Sequence, residues 1–169
     1  MITSAIILFI LSILLLEYFR GGVVSHHLLA NENLPKVSNW WGLLTIPMVS
    51  WLVLSNIQKR NLNEKNELSP VSKPQLYGFI GAFLFGIIMT GLFYSPWNIH
   101  NYLLLLTFLV ALFFPIYKGE YYLGFIISMA YGFGGILPVV FGLVLIIIYA
   151  VEYMLIRKGI RFIINRAKS

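Results

Sequence analysis

From Tyr121 to Ile156 the chain carries a single charged side chain, Glu152. One straight helix of that length would measure roughly 54 Å, against a hydrocarbon core of about 30 Å. Such a run requires a bilayer around it and a place to turn back. Gly134-Gly135 and Pro138 supply the turn, leaving a short span over 121–133 and another over 139–156. Four more apolar runs precede it, at 2–19, 40–57, 76–94 and 101–117. Lipid offers a backbone no hydrogen-bond partner and none of these runs alternates, so they are helices and not barrel strands. The expected fold is all-α: one integral membrane domain over 1–169, with about six transmembrane helices.

Composition excludes several alternatives. Charged residues make up 11% of the chain, where a soluble domain carries about 25%. Cysteine is absent, which removes disulfides, thiolate metal sites and cysteine nucleophiles. Aspartate is absent too, so the acids are Glu17, Glu32, Glu64, Glu67, Glu120 and Glu152. Aspartyl dyads are thereby excluded, and the Asp-rich magnesium sites of many lipid-phosphate enzymes are disfavoured. No basic residue precedes the first run and no small-residue cleavage site follows it, so a retained helix is expected there.

The net charge of +6 comes from loops beside apolar spans, where it meets headgroups and sets topology; nucleic acid is not an expected partner. With both termini cytoplasmic, one side of the membrane receives a hydrophilic loop over 58–74, Lys118, and a basic tail over 157–169. These segments hold all the basic residues except Arg20 and Lys36. That asymmetry follows the positive-inside rule and fits a bacterial-type inner membrane. It also sends every histidine to the opposite, outer face.

The outer polar stretch between the first two spans, 20–39, is therefore the place to look for a site. Glu17 and Arg20, at i,i+3, share a helix face and can pair. Gly21-Gly22 follows, where a backbone or an anion can come close, and Arg20 suits a phosphate or carboxylate. Ser38 is an N-cap residue for the helix starting at Trp40-Trp41, whose rings suit the interfacial belt. Ser25 beside His26 has a nucleophile's neighbour but not a triad's geometry. His26 and His27 are adjacent, not at the i,i+4 spacing of paired helical metal ligands. No cofactor is assigned; a metal ion on the outer face would have to draw on His26, His27 and His100. Glu120 and Glu152 read as boundary charges, with Lys118 and Arg157 as partners. No charge falls at mid-membrane, which disfavours a carboxylate proton relay.

Gly78, Ala82, Gly86 and Thr90 recur every fourth residue, as do Gly124, Ser128 and Gly132. Such stripes let helices approach closely in lipid, here either each other or a second copy or another membrane subunit. Three functions fit these features. One is a non-enzymatic permease, channel, lipid-handling or assembly subunit. Its outer ligand or partner site would be drawn from Glu17, Arg20, Ser25, His26, His27, Asn39, Trp41 and His100. Another is a membrane-embedded enzyme acting on a lipid or lipid-linked substrate through His26 or His27, Arg20 and Glu17. The last is a passive scaffold. Sequence favours the first and leaves enzymatic activity open.

Overall fold

The computed structural model describes residues 2–27, 33, 35–65, 71–96 and 99–167, without side-chain placement at 26, 27, 64, 65, 100, 101 and 160–167. Glu32, Trp97 and Asn98 of the outer stretches therefore lie outside the described residues. Six α-helices dominate: α1 (Ile2–Phe19), α2 (Gly42–Lys65), α3 (Lys73–Phe93), α4 (Ile99–Phe113), α5 (Gly119–Phe133) and α6 (Ile136–Ala167). Between α1 and α2 sits a small antiparallel hairpin, β1 (Ser25–His27) with β2 (Lys36–Ser38), then a 3-10 turn over Asn39–Trp41. The hairpin is an addition to the all-helical expectation; strands of three residues are too short to show alternation.

Helix α5 is the axis of the bundle. Every residue from Tyr122 to Ala130 is buried, and α1, α2, α3 and α6 all pack on it. The outer helices bury only a stripe each, as on α1 with Ile6, Ile10, Ile13 and Leu14. Their remaining apolar side chains, such as Leu8, Leu84 and Ile147, are exposed, as lipid-facing residues are. The two small-residue stripes meet each other. Gly78 lies against Tyr121, Gly86 against Ser128, and Gly132 against Thr90, so α3 and α5 run parallel. A Cβ on Gly124 would stand 2.3 Å from the Phe79 carbonyl oxygen; only glycine permits that backbone contact.

Helix α2 runs the other way. Gly119, at the start of α5, meets Val53 and Ile57, whereas Gly135, beyond its end, touches Gly42. Helix α4 lies along α6, with Phe108 edge-on to Tyr149 at 5.3 Å, Tyr117 near Tyr153, and the Thr107 and Tyr149 hydroxyls bonded.

Four helices are long and apolar enough to cross a membrane: α1, α2, α3 and α6. This fits an integral membrane protein. Helices α4 and α5, 15 residues each, are about 22 Å long. Length alone therefore supports four crossings, not the six expected. For α5 the reason is burial: a helix sheathed in protein need not match the bilayer. The connection expected over 58–74 is also shorter. Gln58–Lys65 continues α2, because Lys, Arg, Gln and Glu are good helix formers. Likewise α6 continues to Ala167, into what looked like a basic tail, and takes in Pro138 in its first turn, where proline is tolerated.

Candidate functional site at the Glu17 end

Gly21 and Gly22, at φ +128° and +113°, stop α1 and reverse the chain as only glycine does readily. The reversal carries the Val24 N–H back to the Glu17 carboxylate, where it donates to Oε2 at 3.1 Å. The Val24 carbonyl accepts from the Asn39 N–H at 3.0 Å. Asn39 is 6% exposed, and its Nδ2 donates to both Glu17 oxygens, at 2.9 and 3.1 Å. Ser38 caps the following turn, accepting from the Trp40 N–H at 3.4 Å. Beneath Asn39 lies Gly134, φ +71°, where a Cβ would fall 1.8 Å from Asn39 Oδ1.

The expected Glu17–Arg20 pair is therefore not formed. Glu17 is satisfied by a side-chain amide and a backbone N–H, donors that fix it in place without a counter-charge. Arg20 is exposed and makes no ion pair with any described residue. It lines a cavity of about 260 Å³ with Glu17, Asn39, Ile13, Tyr94 and Tyr131. The Tyr94 hydroxyl donates to the Gly132 carbonyl, tying α3 to α5 at the cavity's edge.

Of the residues singled out in sequence, Glu17, Arg20 and Asn39 come together here. Trp41, 55% exposed, does not line the cavity. Ser25 pairs across the hairpin with Ser38, His26 with Val37 and His27 with Lys36. The side chains of His26, His27 and His100 lie outside the described residues. Among the described residues no group of three His, Cys, Asp or Glu side chains converges on a metal position. Tyr94 and Tyr131 were missed. Their only signal was an aromatic at the same end of two parallel helices.

The opposite end of the bundle holds a different polar cluster. Glu120, 5% exposed, takes the Arg60 guanidinium on both oxygens, at 3.1 and 3.2 Å. Asn61 and Gln75 exchange amide hydrogen bonds at 3.0 and 2.6 Å, and Gln75 accepts the Ser72 N–H at 2.8 Å. The partner expected for Glu120, Lys118, is displaced by a residue from another helix. Arg157 lies 5.0 Å over the Tyr153 ring, while Glu152 Oε2 is buried without a hydrogen-bond partner among the described residues.

Fold and site thus define a helical bundle compatible with an integral membrane protein, with an ion-pair latch at one end and, at the other, a polar cavity holding a guanidinium that has no ion-pair partner among the described residues. No family model, no curated protein and no solved structure matches the chain.

Proposed function

We propose that the chain crosses the membrane six times with both ends cytoplasmic, and that it is a non-enzymatic, lipid-handling protein binding an anionic headgroup at its outer face. The observation that carries this reading is Arg20: a guanidinium in a cavity at a helix end, whose one acidic neighbour among the described residues, Glu17, is already satisfied by Asn39 and Val24. Arginine's planar fork suits phosphate and carboxylate oxygens, and tyrosines at a helix end suit the headgroup layer. Helix directions alternate along the chain, and the basic residues Lys59, Arg60, Lys118 and Arg157 gather at the end away from Arg20, which supports the six-span orientation. Lipid handling is preferred over a channel because α5 fills the axis with Leu123, Ile126, Ile127 and Ala130.

Native mass spectrometry of the full chain with an anionic and a zwitterionic phospholipid tests the reading. The anionic lipid should be retained preferentially, and Arg20→Ala should weaken it about tenfold or more, the worth of one charge-assisted hydrogen bond. Equal retention of both lipids by the wild type, or no effect of Arg20→Ala, would sink it.

A further inference from the structure

A second cavity lies beyond the polar one. Along the same seam between α1 and α3, and on the same α5 floor, lies an apolar cavity of about 320 Å³. On α1 its wall ends at Phe9, and the polar cavity's wall resumes one turn later at Ile13. On α5 its floor ends at Ile127, and Tyr131 follows one turn later. Residues at i,i+4 share a helix face, so the two cavities are consecutive along one groove. The groove is polar at Arg20 and mostly apolar from Phe9 down to Ala5 and Leu76, where Gln75 and the Arg60-paired Glu120 also border it. Each cavity is near the lower end of the roughly 300–1,000 Å³ typical of small-ligand sites.

We infer that this groove holds one amphiphile, with an anionic phosphate head at Arg20 and a single long hydrocarbon chain lying between α1 and α3. The inference rests on the headgroup reading above and adds the tail. Charge complementarity sets the head, since Arg20 lines the polar cavity and has no carboxylate partner among the described residues. Helix geometry sets the tail. From Arg20 to Phe9 is about 16 Å along α1, roughly half of the ~30 Å hydrocarbon core. A chain of one leaflet's length ends where the apolar cavity begins. Filling that cavity takes a chain that passes the midplane, as in a polyprenyl phosphate, and not the tail of an ordinary diacyl lipid.

The test compares a polyprenyl monophosphate with a leaflet-length phosphatidate and a short alkyl phosphate, each titrated into the full-length protein in detergent. The polyprenyl ligand should bind about tenfold more tightly than the phosphatidate, with a stoichiometry of one. Ala5→Trp and Leu76→Trp, both at exposed positions on the apolar cavity, should erase that advantage. Leu8→Trp, on the lipid face outside the cavity, should keep it. Equal affinity for the long and leaflet-length ligands, two lipids bound per chain, or an advantage that survives both cavity-filling substitutions would overturn the tail groove. In each of those cases the headgroup reading stands if Arg20→Ala still weakens all three ligands. An indifferent Arg20→Ala removes both.

Discussion

Each end of the bundle holds a glutamate against neighbouring helices, and the two are satisfied in opposite ways. Glu120 is closed by Arg60, so charge meets charge and nothing is left over. Glu17 is closed by the Asn39 amide and the Val24 N–H, and the arginine one turn away remains exposed. An ion pair between α2 and α5 fastens helices. A carboxylate held by neutral donors fastens the chain equally well while sparing a cation for something else. The contrast separates a latch from a site, although both are made of one glutamate and one arginine.

Four substitutions, with one control and one compensating change, bear on that contrast. The largest effect is expected from Gly134→Ala, which combines a positive φ with a Cβ driven onto Asn39. It should cost about 3 kcal/mol or more, read as a lowered melting temperature in detergent. Gly91→Ala, with nothing within 4 Å, serves as its neutral control. Next is Arg60→Ala, which leaves a buried carboxylate unpaired. Arg60 is one-third exposed, so the expected loss is about 2–3 kcal/mol, below the range for a fully buried pair. Adding Glu120→Gln should restore part of it, and no restoration would mean that the pair's geometry matters more than its charge. Asn39→Ala should cost about 1–2 kcal/mol by stripping Glu17 of its amide donor. Arg20→Ala comes last, with less than about 0.5 kcal/mol in stability against a large loss of anionic-lipid binding. Should Arg20→Ala melt like Arg60→Ala, the two ends are alike and the distinction between latch and site fails.

Much of the architecture was legible because it is written locally. Apolar runs marked all six helices, and Gly134-Gly135 marked the turn between α5 and α6. The stripes from Gly78 and Gly124 marked two helices made for close approach, and they pack on each other. What was illegible depends on residues distant in sequence. Lys118 is two residues from Glu120, but the charge that reaches Glu120 comes from Arg60, on a helix running the opposite way. Of the residues singled out in sequence, Glu17, Arg20 and Asn39 line one cavity, but not in the pairing expected. Proximity favoured Arg20, and the Gly21-Gly22 reversal brought Asn39 and Val24 instead. Tyr94 and Tyr131 stayed hidden because the shared height of two helix ends is a property of packing, invisible to periodicity.

The position of α5 also bears on how the molecule is made. The helix that α1, α2, α3 and α6 pack on comes after three of those four in the chain. Until residue 133 has left the ribosome, Ile10, Leu14 and Ile46 have no counterpart for the surface they later share with Ala130. A nascent chain ending between α3 and α5 would keep the contact of α1 with α2 but lack the helix that brings them together with α3. A chain that stops before Gly119 therefore lacks the interior around which the bundle closes.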